Sequence, residues 1–191
     1  MAALPQNRWT VDDYLIYDRD HEGKHEYVDG QFYAMAGATR IHNLVVSATN
    51  FSLFRHARKR GCEVYPSDMR VRTPSQLYTY PNLVIVCGQS EVIKEHGQDT
   101  LLNPTLIIEV LSPTTERFDR TGKFQHYKTL PSLMEYVLVA QDAPFVERFL
   151  RQSDGQWLHA AAAGLDASIA LITLDYLLPL REVYEQIAFD E

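Results

Sequence analysis

The sequence predicts an α/β domain built on a mixed β-sheet, and three observations carry that prediction. The runs NLVIVC (82–87) and TLIIEVLS (105–112) are short, apolar and not alternating, as strands covered on both faces are. The segment IHNLVVSATNFSLFRHARKRG (41–61) has the apolar spacing of a long helix. Helical and strand-like segments also interleave along the chain, the order expected of an α/β arrangement. No repeat and no Pro-, Gly- or Ser-rich linker divides the 191 residues, so a single domain over 1–191 is expected.

Each element has its own signal. In WTVDDYL (9–15) Thr10 is a helix cap, Asp13 its acidic partner three positions on, and Trp9 and Tyr14 have the spacing of a hydrophobic staple. HEYVDGQFYAM (25–35) is an N-terminal hairpin, with Asp29-Gly30 suited to a type I′ turn. The long helix is predicted to turn Ile41, Leu44, Val45, Ala48 and Phe51 inward and to stop at Gly61. EVYP (63–66) and DMRVR (68–72) read as strands, the second placing Asp68, Arg70 and Arg72 on one face, where an internal salt bridge would account for Asp68. TPSQLYTYP (73–81) and GQSEVIKEHGQDTLLNP (88–104) read as loops. DRTGKFQHYKTL (119–130) is an amphipathic helix with Phe124 and Tyr127 on its apolar side, and MEYVLVA (134–140) is a strand. VERFLRQ-SDG-QWLHAAA (146–162) is a C-terminal hairpin, and PLREVYEQI (179–187) a closing helix with Leu180, Val183, Tyr184 and Ile187 inward.

Composition narrows the class. No apolar stretch approaches the ~18 residues of a membrane span, and the N-terminus lacks the basic and apolar regions of a signal peptide, so a soluble, cytoplasmic protein with no membrane partner is expected. Cys62 and Cys87 match no zinc or redox spacing, and no disulfide is expected. The net charge of −7 argues against unspecific adhesion to nucleic acid. Basic residues nevertheless cluster at Arg55–Arg60, where a helix C-terminus explains them as well as a groove does, at Arg70 and Arg72, and at Arg117, Arg120, Lys123 and Lys128. No serine elbow, Walker loop, HExxH, GxGxxG or paired CxxC is present, which removes support for the corresponding enzymes.

Glu109 is the most informative residue. It interrupts TLIIEVLS, where an isolated carboxylate must be paired, protonated or put to use. It either pairs for structure or points into a cleft to bind a metal or handle a proton, and the apolar setting favours the second reading. Strand alternation puts Ile107, Glu109 and Leu111 on one face. Lys123, on the next helix, could stand beside it; its spacing from Asp119 by itself reads as an ordinary surface pair. Glu26, His42 and Asp68 are further polar candidates, none decisive alone. Asn82, at the mouth of a core strand, is either punctuation or part of the site.

Taken together, YPNLVIVC and NPTLIIEVLSPTTERFDRTGKFQHYKTLPSLMEYVLV, with EYVDGQ, HN and SDMRVR upstream, resemble the Uma family of endonucleases in the PD-(D/E)XK nuclease superfamily. The likeness spans about residues 9–185. It implies a restriction-endonuclease-like core, a mixed central sheet flanked by helices, with the N-terminal and C-terminal hairpins as additions. It also implies Mg²⁺- or Mn²⁺-dependent hydrolysis of DNA phosphodiesters, with Arg70, Arg72, Arg117 and Arg120 facing nucleic acid and a homodimer suited to two-strand cutting. Carried over by position, the site residues are Asn82, Glu109 and Lys123, with Glu26 and His42 lining the same cleft and Asp68 in an undefined role; the metal would sit on Glu109, Asn82 and Glu26. The superfamily's strand lysine falls at Leu111, which leaves Lys123 as its replacement. Asn82 is the departure: the family has aspartate there, and an amide brings no charge. An attenuated or inactive nuclease is therefore expected, unless Glu26 or Asp68 supplies the charge. The alternative is a non-catalytic module that keeps the fold to bind nucleic acid or protein.

Overall fold

A computed structural model describes residues 8–35 and 37–189. The chain opens with helix α1 (Val11–Asp20), started by the predicted capping box between Thr10 and Asp13. The staple is not formed as expected: Trp9 packs on Phe32 (ring centroids 5.0 Å apart), while Tyr14 stacks on Tyr27. The hairpin β1 (His25–Val28) and β2 (Gln31–Ala34) turns at Asp29 and Gly30, both at positive φ as a type I′ turn requires. Helix α2 (Arg40–Lys59) follows, capped by Thr39 and ended at Gly61 with φ +70°. Its buried face is Val45, Thr49, Ser52, Leu53 and Ala57, whereas Ile41 and Phe51 are exposed. The predicted inner face was rotated because the helix buries two hydroxyl residues that a hydrophobicity count ignores. Thr49 satisfies its hydroxyl by donating to the Val45 carbonyl at 2.7 Å.

The central sheet is mixed, as predicted. Its strands are β3 (Cys62–Pro66), β6 (Leu83–Cys87), β9 (Leu106–Val110), β10 (Glu135–Val139), β11 (Phe145–Arg151) and β12 (Trp157–Ala163), ordered β12-β11-β10-β9-β6-β3. Only the β9–β10 pair is parallel. Both continuous apolar runs lie in its middle, buried on both faces. Leu106, Ile108 and Val110 pack with α2 residues and the closing helix α5 (Leu180–Tyr184), while Ile107 and Leu111 pack with Phe124, Tyr127 and Tyr136 on the other face.

A second sheet, ordered β2-β1-β5-β4-β8-β7, adds β4 (Arg70–Arg72), β5 (Tyr78–Thr79), β7 (Val92–Glu95) and β8 (Gln98–Leu101). It packs through Val71 and Leu101 on Val84 and Val86. Two segments expected to be loops thus contain strands. The β7–β8 hairpin turns at His96 and Gly97, both at positive φ. A small sheet of β13 (Ser168–Leu171) and β14 (Tyr176–Pro179) leads into α5, whose Leu180, Val183 and Tyr184 are buried as predicted.

Cys62 and Cys87 form a disulfide, which corrects the sequence expectation. They face each other at one end of the β3–β6 pair, 25 residues apart along the chain. Cross-strand partners are set by register, which cysteine spacing does not reveal. Among the described residues no helix is long and apolar enough to cross a membrane.

Candidate active site

Strand register assembles the site. Glu109 lies on the face of β9 that carries Ile107 and Leu111, and β6 runs antiparallel beside it with Leu83 opposite Ile108. Asn82, one residue before β6, therefore stands next to Glu109 at the carboxyl end of β9. Its backbone N–H donates to Glu109 Oε2 at 3.3 Å, and its side-chain Oδ1 accepts from the Val110 N–H at 2.7 Å. Because that oxygen is fixed by Val110, the amide nitrogen is the group that faces His42 Nε2 at 3.2 Å. His42 Nε2 accepts, so its ring proton resides on Nδ1. Thr39 fixes the histidine's backbone by accepting from the His42 N–H.

Lys123 comes from the helix predicted over 119–130, which is not regular. It runs through α3 (Glu116–Phe118), a π-helical turn at Asp119–Lys123 and α4 (Phe124–Tyr127). The widened turn places both Asp119 and Lys123 inside, 2% and 5% exposed. Gly122 leaves room there for the Phe118 ring, which a Cβ would approach to 2.5 Å and force to move. The Tyr136 hydroxyl donates to the Asp119 carbonyl at 3.0 Å.

Three carboxylates converge on the Lys123 ammonium: Glu26 Oε1 at 2.9 Å, Glu109 Oε1 at 3.2 Å and Asp119 Oδ1 at 3.4 Å. Glu26 also accepts from the Thr79 hydroxyl, and Glu109 Oε1 from the Tyr127 hydroxyl at 2.8 Å. The Asp119–Lys123 pair, expected on the surface, is buried, so its solvation and its role differ from those of an ordinary helix pair.

The charge balance follows from these distances. With all groups ionised, three carboxylates outnumber one ammonium. Burial outweighs the opposing pull of Lys123 and, with Asp119 and Glu26 adding to it, holds the Glu109 carboxyl up at about 7. Burial likewise raises Asp119 against the pull of Lys123. Burial opposes the charge on Lys123, yet the three carboxylates together hold it well above its ordinary range. Burial lowers His42, in keeping with its neutral, amide-paired ring.

The other predicted residues are dispersed. Arg70 is 1% exposed and committed to Asp18, Gln98 and Thr100, so it has no face to offer a phosphate. Arg72 pairs with Glu95. Asp68 lies outside β4, is exposed and pairs with Lys24, not with Arg70 or Arg72. Arg120 pairs with Glu116 and Glu147 and lines a cavity of about 250 Å³ beyond the ends of β9 and β10, together with Ser112 and Gln141. Arg117 is exposed and, among the described residues, makes no ion pair. Another cavity, of about 430 Å³, lies elsewhere, lined by Tyr65, Arg70, Tyr80 and Gln98, and contains none of the converging carboxylates.

Sequence reasoning missed Asp119, Thr79 and Tyr127 as members of the site. The four-residue spacing of Asp119 and Lys123 was visible, but nothing local marks a buried π-turn.

The comparisons with known proteins agree with this architecture. Residues 11–177 match the family described as "Uma2: Putative restriction endonuclease". Two curated proteins of the cyanobacterium Synechocystis are each 32% identical: "Uncharacterized protein slr1290" over 82% of this chain and 81% of its own length, and "Uncharacterized protein sll1609" over 84% and 90%. The crystal structure of a protein from Anabaena variabilis, titled a "putative nuclease belonging to DUF820", superposes with a TM-score of 0.73 over 91% of this chain and 97% of that one. At 15% identity this likeness concerns the fold. With the family matched over most of its length and a mixed-sheet core of the same fold beneath it, the chain belongs to the Uma2 restriction-endonuclease family.

Proposed function

We propose that this chain is a divalent-cation-dependent DNA endonuclease whose activity is attenuated by Asn82. The observation that carries this reading is the meeting of Glu109, Asn82 and Lys123 at the carboxyl end of β9, the end after which Leu111 and Ser112 line a cavity with Arg120. The donors suit a hard cation in kind. Among the described residues Glu109 Oε2 accepts only the 3.3 Å contact from Asn82, and Glu26 and the Asn82 carbonyl are further oxygens. Mg²⁺ keeps several waters and needs only one or two carboxylates, so the fact that no three acidic or histidine side chains among the described residues form a ready cage does not conflict with it. Bound there, the ion would lower the pKa of a water and offset charge on the phosphate.

The chain's own residues have distinct tasks. Glu109 holds the anionic oxygen. Lys123, kept charged by its three partners, offsets phosphate charge or orients a water. His42 locks the Asn82 amide and is not free to take a proton at Nε2. Asn82 supplies a carbonyl without charge. Exposed Arg117 and the cavity-lining Arg120 are the proposed backbone contacts to DNA.

A plasmid assay with Mg²⁺ or Mn²⁺ tests the reading. The natural chain is expected to nick weakly, Asn82→Asp to cut strongly, and Glu109→Ala to abolish cutting in both backgrounds. Cutting that survives Glu109→Ala overturns it. A second reading, a non-catalytic binding module, draws on one observation: both ends of the Asn82 amide are satisfied, by Val110 and by His42. It predicts that Asn82→Asp gains no cutting while duplex DNA or a protein partner is still bound.

A further inference from the structure

We propose that Asp119 is the second anionic arm of the cation site and supplies part of the charge that Asn82 lacks; this rests on the metal-dependent reading above. Asp119 is nearly fully buried; Thr115 bonds its carboxylate, but among the described residues its Oδ1 has no well-formed hydrogen bond and faces only the Lys123 ammonium, at 3.4 Å. A buried carboxylate oxygen so weakly satisfied is costly, and such atoms in folded proteins call for an explanation. Its ion-pair partner, Lys123, stands 3.4 Å away and lies closer to both Glu26 and Glu109. With every group ionised, the cluster of Glu26, Glu109, Asp119 and Lys123 carries a net charge of −2, from three carboxylates and one ammonium. One divalent ion brings it to zero.

The local fold delivers this carboxylate deliberately. π-helical turns concentrate at functional sites because they re-aim side chains at a cost to the helix. Here the turn begins at Asp119 and ends at Lys123, and Gly122 is the residue that lets Phe118 pack against it. Asn82 donates to the Glu109 carboxylate, which shares Lys123 with Asp119, so the two positions meet in one cluster.

The test is calorimetric titration of the natural chain with Mn²⁺, alongside Asp119→Asn, Glu109→Gln and the double variant Asn82→Asp/Asp119→Asn. The natural chain is expected to bind, and each single variant to bind at least about tenfold more weakly. The double variant is expected to recover affinity, because aspartate at 82 returns the charge; a purely structural role for Asp119 gives no such rescue. A second readout is the rise in melting temperature on adding Mn²⁺, expected to shrink in Asp119→Asn while the metal-free melting temperature holds or rises. Asp119→Ser, equally uncharged, serves should the amide variant fail to fold. Unchanged affinity in Asp119→Asn with loss in Glu109→Gln overturns the role of Asp119 alone. No Mn²⁺ binding by the natural chain overturns it together with the metal-dependent reading.

Discussion

Replacing Glu109 by glutamine is expected to stabilise the metal-free protein near neutral pH, against the usual result of removing one partner of a buried ion pair. The carboxyl is pushed from the ordinary 4.5 up to about 7 because burial outweighs Lys123. A raised carboxyl makes the folded chain bind more protons than the unfolded chain, so stability falls as pH rises across this interval. A rise from 4.5 to about 7, at about 1.36 kcal/mol for each tenfold change in acidity, corresponds to on the order of 3 kcal/mol of destabilisation fully developed above pH 7 and absent below about pH 4.5. Glutamine removes the charge and keeps an acceptor for the Tyr127 hydroxyl. Its amide end meets the Asn82 N–H less well, which takes back about 1 kcal/mol. Lys123 keeps Glu26 and Asp119, so no charge is orphaned. A net gain of roughly 2 kcal/mol at pH 7.5 is expected by urea unfolding in EDTA, shrinking to nothing or reversing near pH 4.5. A variant that is less stable than the natural chain at pH 7.5, or that loses stability from pH 4.5 to 7 as steeply as the natural chain, refutes the charge balance described for this cluster.

Other outcomes follow from the fold. Reducing the Cys62–Cys87 bond opens a loop with a sequence separation of 25, for which chain entropy gives about 3 kcal/mol; a fall in melting temperature of roughly 6–12 °C with reductant is expected by calorimetry. Gly122→Ala drives a methyl into Phe118 and should cost roughly 1–3 kcal/mol in denaturant unfolding, and Phe118→Ala in the same chain should relieve part of it. Arg70→Met leaves buried Asp18 short of its cation and should destabilise by about 3–5 kcal/mol, while Arg117→Ala should leave the melting curve unchanged and weaken DNA retention in a filter-binding assay, most at low salt.

Much of the architecture was legible in the chain because its signals are local. The capping box at Thr10, the Asp29-Gly30 turn, Gly61 and the two continuous apolar runs each report backbone geometry within a few residues. The β7–β8 hairpin was missed although His96-Gly97 sits at its turn, because the flanking residues are mostly polar and hide the strand pattern. The inner face of α2 was misplaced for a similar reason: Thr49 and Ser52 are buried by packing and hydrogen bonding, not by hydrophobicity.

For the site, the sequence alone determined that Glu109 is an anomaly, since a carboxylate inside an apolar strand is visible without coordinates, and that the residue at the mouth of the neighbouring strand, Asn82, is polar but uncharged. It could not determine what neutralises Glu109. That was decided by register, which sets Asn82 beside β9, and by a π-turn that buries Asp119 with Lys123. A pair four residues apart looks the same in sequence whether water screens it or the core excludes water. Only packing decides the dielectric around it, and here that decision makes of an ordinary-looking surface pair a buried one that shares its lysine with Glu26 and Glu109.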